Sequence, residues 1–135
     1  MAINDAIPGL EVTITHEDEA LTEYDDNAVT EEALTTTRYI ESQSGQTFAV
    51  RFEVEEGTRF RGDCLACEIT IDGSSVDTPL LEKSKCRDRA LVSTRKGCRT
   101  RTGKMKSFMF SGLEVGTFNP AQCTVIVTYM YDSKR

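Results

Sequence analysis

The sequence has no tryptophan, one histidine, three prolines and no long apolar run. A membrane-spanning helix needs about 18–20 consecutive apolar residues, so we expect no membrane partner. The N-terminus, Met1–Asp5, lacks both the basic and the apolar part of a secretory signal, and it is acidic where a mitochondrial signal is rich in arginine. We therefore expect an intracellular protein, cytoplasmic or nuclear.

The single histidine restricts the catalytic chemistry that the chain can support. Any Ser–His or Cys–His pair must use His16, which stands beside Glu17 and Asp18 in a polar stretch that we expect to be solvated. Adjacent carboxylates are frequent, but acid–base catalysis needs two carboxyl groups that face each other across a cleft, and no sequence pattern indicates such a pair. The sequence predicts no catalytic residue, no enzymatic activity and no cofactor.

The five cysteines form no convincing metal site. Cys64 and Cys67 resemble half of a zinc site, but Cys86 and Cys98 are too far apart to complete it. Residues 64–72 moreover alternate like a strand, in which residues three apart point to opposite faces. We expect reduced, buried or incidental thiols and no bound metal, because an odd cysteine count without a secretory signal disfavours disulfides.

Apolar residues recur at every second position in several segments, which is typical of strands with one buried face. The clearest of these segments are Gly9–Thr15, Thr47–Val54, Cys64–Asp72, Lys104–Phe110 and Ala121–Tyr131. Asp72-Gly73 is a strong hairpin signal, and Phe108 and Phe110 are expected in the core, opposite Met105 and Met109. We predict an all-β fold over residues 1–135: a single-domain antiparallel β-sandwich of about seven or eight strands, jelly-roll-like or immunoglobulin-like.

Charge is divided unevenly along the chain, whose net charge is −6. Residues 1–60 carry 14 acidic and 3 basic residues, whereas residues 61–135 carry 8 acidic and 13 basic ones. Within this pattern the sequence predicts an acidic loop at about residues 16–34 and a flexible basic hairpin at about residues 95–106. Such a division favours recognition of a charged partner over chemistry.

The basic hairpin is the candidate partner-binding site. Its cations are Arg95, Lys96, Arg99, Arg101, Lys104 and Lys106. We expect a non-catalytic protein-interaction or self-assembly module in which this hairpin contacts an acidic surface, its own or a foreign one. The alternative is nucleic-acid binding through phosphate contacts, although the aromatic platform of single-strand binders is missing. A sugar-binding or small-ligand domain ranks below both.

The order of several motifs also resembles an uncharacterised fungal domain family, known only as a domain of unknown function. The resemblance begins with PGLEVTI and EYDD, is most specific at YIESQSGQTFAVRFEV (Tyr39–Val54), and returns at Arg61–Asp63, at Phe108–Phe110 and in the C-terminal strand. It implies a fungal, intracellular, all-β domain and carries no activity. Cys64 and Cys67 depart from the family's pattern, which supports their interpretation as local substitutions.

Overall fold

The computed structural model describes residues 2–3, 8–24, 38–41, 43–59, 62–110 and 125–131, with only the backbone described in the first and last of these ranges. These residues contain thirteen strands and one 3₁₀ turn, Lys83–Lys85. The strands are β1 Ala2–Ile3, β2 Leu10–His16, β3 Glu19–Ala20, β4 Glu23–Tyr24, β5 Tyr39–Ile40, β6 Ala49–Val54, β7 Cys64–Ile71, β8 Ser74–Asp77, β9 Leu80–Glu82, β10 Leu91–Arg95, β11 Gly97–Arg99, β12 Met105–Ser107 and β13 Val125–Tyr131. The predicted all-β fold is confirmed.

The first sheet has the strand order β1-β2-β6-β10, and β3 pairs with the end of β2. All of its pairs are antiparallel, with Val12 opposite Phe52 and Leu91 opposite Val54. One difference from the predicted alternation is that Thr15 is buried. Its partner in the register, Ala49, lies on the same face and is buried as well. Val50, on the other face, is also buried, so both faces of this end of the sheet are shielded from solvent.

The second sheet is built around β7, which pairs with β13 on one side and with β8 and β9 on the other. Strands β7 and β8 are joined at Asp72 and Gly73, whose φ angles of 49° and 82° are both left-handed. Two left-handed residues define the type I′ turn that matches the twist of a hairpin. The hairpin predicted at this dipeptide is therefore confirmed.

Side chains from both sheets form one buried cluster. Its buried members are Leu10, Val12, Val50, Phe52, Val54, Leu65, Cys67, Ile69, Leu81 and Cys86. All except Cys86, which follows the 3₁₀ turn, come from β2 and β6 of the first sheet and from β7 and β9 of the second, where side chains alternate at every second position. The finer assignment, a sandwich of seven or eight strands, stays a prediction.

The cysteines of β7 point to opposite faces, as the strand period predicts. Cys64 is half-buried and Cys67 is fully buried in the core, and burial raises the pKa of the Cys67 thiol to about 12. Cys86 is also buried, and its Sγ donates to the carbonyl of Lys83 at 3.3 Å. Within the described part of the chain, no group of three or more His, Cys, Asp or Glu side chains is placed to hold a metal ion. The same part contains no helix capable of crossing a membrane.

Candidate functional site

The basic segment forms a β-hairpin made of β11 and β12. Its register places Cys98 opposite Lys106 and Arg99 opposite Met105. At the tip, the N–H of Gly103 donates to the carbonyl of Thr100 at 2.9 Å. Gly103 has φ 82°, the left-handed residue that a three-residue hairpin loop needs at this position.

The paired strand leaves no room for a side chain at Gly97. A Cβ at this position would overlap the carbonyl oxygen of Lys106 and lie 3.0 Å from the Cα of Ser107. Both neighbours are backbone atoms of the paired strand, so they cannot move aside without breaking the register. Only glycine fits here.

We expect Gly97→Ala to lower the free energy of unfolding by about 1–3 kcal/mol, the usual cost of forcing an extra methyl group into a packed site. Chemical denaturation followed by circular dichroism measures this loss. Gly103→Asn is the matched control, because no atom lies within 4 Å of a Cβ there and asparagine tolerates left-handed φ. Equal losses for the two variants would contradict the close-approach argument.

Backbone hydrogen bonds hold the base of the hairpin. The N–H of Phe108 donates to the carbonyl of Lys96 at 2.9 Å, and the N–H of Phe48 donates to the carbonyl of Phe108 at 3.0 Å. The N–H of Phe110 then donates to Gln46 at 2.9 Å. Residues 108–110 thus pair with the stretch preceding β6, on the side where β10 pairs with β6. The hairpin therefore projects from the sheet between β10 and residue 108.

Three stacked phenylalanines pack beneath this base. The ring of Phe48 lies 4.4 Å from that of Phe110 and 5.5 Å from that of Phe108, measured between centroids. All three rings are buried, and the half-buried Cys98 of the hairpin packs against them. The prediction that Phe108 and Phe110 belong to the core is confirmed, and the hairpin is attached to that core.

Two of the six predicted cations form ion pairs within the chain. The Nζ of Lys96 lies 3.6 Å from the Oδ1 of Asp18, with both side chains mostly exposed at 67% and 82%. The Nε of Arg95 lies 3.4 Å from the Oδ2 of Asp77 and joins β10 to β8. This Nε is buried without forming a hydrogen bond, so the contact is a charge–charge approach with poor donor geometry. Arg95 therefore links the two sheets.

The other four predicted cations are exposed and form no ion pair with any described residue. They are Arg99, Arg101, Lys104 and Lys106. Because opposite residues share a face, Arg99 lies on the same side of the hairpin as Met105. Alternation continues that side through Ser107 to Met109, and the two methionines are 65% and 55% exposed. We call Arg99, Met105, Ser107 and Met109 the outer face of the hairpin.

Sequence reasoning placed the two methionines opposite the phenylalanines but gave them no role. The sequence does contain a signal for this exposed strip: residues 104–110 carry apolar side chains on both faces, and only one face of such a segment can pack against the core. Contact of the hairpin with an acidic surface of its own chain was one of the expected alternatives, and Asp18, which pairs with Lys96, lies in the predicted acidic segment. The pairing of Arg95 with Asp77 was not predicted, because Asp77 is distant in sequence from the hairpin. Contacts of that kind depend on the tertiary fold.

The predicted acidic loop at residues 16–34 needs a correction in its described part. Residues 16–24 include the end of β2, a two-residue turn, β3 and β4, so this part is mainly hairpin; residues 25–34 lie outside the described residues. His16 is half-buried, and its Nδ1 donates to the carbonyl of Thr47 at 2.7 Å. Its Nε2 lies 3.9 Å from Glu17. The histidine is therefore less solvated than predicted, because its ring is held against the backbone of residue 47.

Comparison with known families gives a match over most of the chain. Residues 9–123 match the family described as "Domain of unknown function (DUF7918)". The chain belongs to the DUF7918 family. The resemblance to an uncharacterised domain family is confirmed, while the fungal origin stays a prediction. Neither the curated proteins nor the solved structures contain a match to this sequence. The basic hairpin, its phenylalanine base and residues 17–19 all fall within the DUF7918 range.

Proposed function

We propose that this DUF7918 chain is a non-catalytic interaction module that contacts an acidic protein surface through the basic hairpin. The observation that carries the proposal is the outer face, where two exposed methionines adjoin Arg99, together with the cations Arg101 and Lys104 at the tip of the same hairpin; none of these cations has a counter-charge among the described residues. Intracellular location, cytoplasmic or nuclear, goes with this proposal, since Cys67, Cys86 and Cys98 are free thiols.

The four cations repel one another in a chain whose overall charge is negative. Four like charges on one short hairpin create a local positive potential, which attracts carboxylates and accelerates their approach. Each exposed ion pair alone contributes about 0–1 kcal/mol. Charge therefore selects the partner and sets its orientation, while other contacts must supply much of the affinity.

The methionines supply those contacts. Methionine is flexible and polarizable, and it adapts to partner surfaces of irregular shape. Met105 and Met109 are four residues apart on the same face of one extended segment. A partner chain can therefore cover both methionines while its acidic side chains reach Arg99 and the tip of the hairpin. An apolar strip bordered by charge is the usual layout of a protein interface.

The same outer face favours a protein over a nucleic acid. Phosphates would satisfy the cations, but a sugar–phosphate backbone offers the two methionines little apolar surface. Single-strand binders stack bases on exposed aromatic rings, whereas Phe48, Phe108 and Phe110 are buried.

The proposal assigns no catalytic role to His16. Its Nδ1 donates a hydrogen bond to the Thr47 carbonyl, and its Nε2 lies 3.9 Å from the Oε1 of Glu17. Neither contact supplies a hydroxyl or thiol nucleophile, which Ser–His and Cys–His chemistry requires.

The proposal predicts that Arg99→Ser with Arg101→Ser weakens binding of a Glu-rich peptide containing spaced leucines by about tenfold, from the loss of two or three ion pairs. Isothermal titration calorimetry at low ionic strength measures the change. The matched control is Arg87→Ser with Arg89→Ser, which removes two exposed arginines outside the hairpin. Met105→Gln with Met109→Gln should also weaken binding without changing its dependence on salt.

Equal affinities for the hairpin variant and its control would contradict the proposal. The proposal would also be contradicted if the chain bound RNA or DNA but not the peptide. In that case the slope of log affinity against log salt concentration should become shallower when Arg99 and Arg101 are replaced. That second outcome would establish the nucleic-acid alternative.

A further inference from the structure

We infer that the acidic surface recognised by the basic hairpin is the turn Glu17–Glu19 of a second copy of this chain, and that two copies form a two-fold dimer. The inference rests on the proposed function and names the partner. We call Glu17–Glu19 the acidic turn.

The acidic turn presents three carboxylates at the end of a tight hairpin. Strand β2 ends at His16 and β3 begins at Glu19, so Glu17 and Asp18 alone make the connection. All three acids are exposed, and of these only Asp18 reaches a cation of the basic segment.

The backbone of this turn is unusual for its residues. Glu17 and Asp18 have φ angles of 50° and 66°, where two-residue hairpins ordinarily place Asn-Gly or Asp-Gly. A glutamate in the left-handed region is strained, and strained residues concentrate at functional sites. Because Asn-Gly or Asp-Gly would form this turn with less strain, the presence of two acids favours a functional role for their negative charge.

Among the described residues, the acidic turn pairs with the base of the hairpin and not with its tip. Asp18 contacts Lys96 at the hairpin base, and Arg101 lies five residues further along. At about 3.3 Å per residue, this is about 16 Å along the strand. Exposed charges are screened beyond about 10 Å at 0.1 M salt. No described acid of this chain pairs with Arg101 or Lys104, so these cations of the tip are open to acids of another molecule.

The acidic turn and the basic hairpin lie side by side, which favours a closed dimer over an open chain. The 3.6 Å contact between Lys96 and Asp18 places the acidic turn beside the basic hairpin. A positive patch beside a negative one is complementary to its own copy turned by 180° about an axis between them. Both tips then meet acidic turns at once. An open head-to-tail chain would instead need the two patches at opposite ends of the molecule.

The dimer is expected to be weak and sensitive to salt, because most of its pairs lie on the surface. Sedimentation velocity over a range of protein concentrations should show dimers at low ionic strength. In about 1 M salt, where the screening length falls to about 3 Å, the same samples should be monomeric.

Charge reversal tests which surfaces meet. The turn variant carries Glu17→Lys and Glu19→Lys, and the tip variant carries Arg101→Glu and Lys104→Glu. Each variant alone should dimerise at least tenfold more weakly than the unmodified chain, because like charges then face each other. An equimolar mixture should form a one-to-one heterodimer, since both contacts again join opposite charges. The control Arg87→Glu with Arg89→Glu reverses two charges outside the hairpin and should dimerise normally.

The outcomes separate this inference from the proposed function. A monomer under all conditions that still binds the Glu-rich peptide overturns the dimer and leaves the interaction module standing. A monomer that also fails to bind the peptide overturns both. A dimer unaffected by either variant, or a mixture that forms open chains, overturns the two-fold contact.

Discussion

Replacing Phe48 with alanine is expected to lower the free energy of unfolding by about 3–5 kcal/mol, the usual cost of emptying a phenylalanine site in a core. The side chain is only 3% exposed and its ring stacks between those of Phe108 and Phe110. Such a loss is a large fraction of the 5–15 kcal/mol that stabilises a typical domain. Urea denaturation monitored by circular dichroism measures it.

The change should also loosen the basic hairpin selectively, since Phe108 and Phe110 directly follow β12. Trypsin, which cuts after Lys and Arg, should cleave the hairpin of Phe48→Ala faster than that of Phe52→Ala. The Phe52 control makes the same chemical change in the other buried cluster, 0% exposed. A loss of unfolding free energy below about 1 kcal/mol would show that neighbouring side chains move into the space left by the Phe48 ring. Equal cleavage rates for the two variants would show that the phenylalanines do not hold the hairpin.

Raising the pH above 9 is expected to destabilise the fold through Cys67. Burial raises the pKa of this thiol from 9.0 to about 12. Between these values the folded state keeps the proton that the unfolded state has lost, so the unfolded state binds fewer protons and stability falls as pH rises. The loss is about 1.4 kcal/mol for each pH unit in this window, or about 4 kcal/mol across it. Below pH 9 both states are protonated and the contribution is complete.

The measurement is the free energy of unfolding in urea, under reducing conditions, at several pH values from 8 upward. The Cys67→Ala variant keeps every other titrating group, so its stability should fall less steeply than that of the unmodified chain. Parallel pH profiles would contradict the account. The thiol of Cys67 should likewise resist alkylation at neutral pH while the half-buried Cys64 reacts.

Much of the fold could be predicted from local pattern. The period of two at Leu10–Val12 and Val50–Val54 identified strands and their buried faces, because strand side chains alternate whatever the partner strand is. Asp72-Gly73 identified a hairpin, because few residues other than glycine, asparagine and aspartate tolerate two successive left-handed positions. Burial of Thr15 and Ala49 escaped the pattern, since it depends on what covers the outside of the sheet.

The candidate site was predicted in part. The cations of residues 95–106 and the hairpin that carries them follow from charge, glycine and alternation. These six cations were predicted from the sequence as one binding site. In the structure, Arg95 and Lys96 form ion pairs with acids far along the chain, whereas the other four cations form no ion pair with a described residue. Cation–acid pairing across a fold depends on which strands become neighbours, which local pattern does not encode.

By itself, the sequence determined the all-β character, the opposite faces of Cys64 and Cys67, and the presence of a basic hairpin. Each of these depends only on the stereochemistry of neighbouring residues. The tertiary structure alone decided that Phe48 would stack against the hairpin base, that Asp18 would reach Lys96, and that Met105 and Met109 would remain exposed. These are contacts between segments distant in sequence, and they exist only because the sheets bring β2, β6 and the hairpin to one end of the molecule.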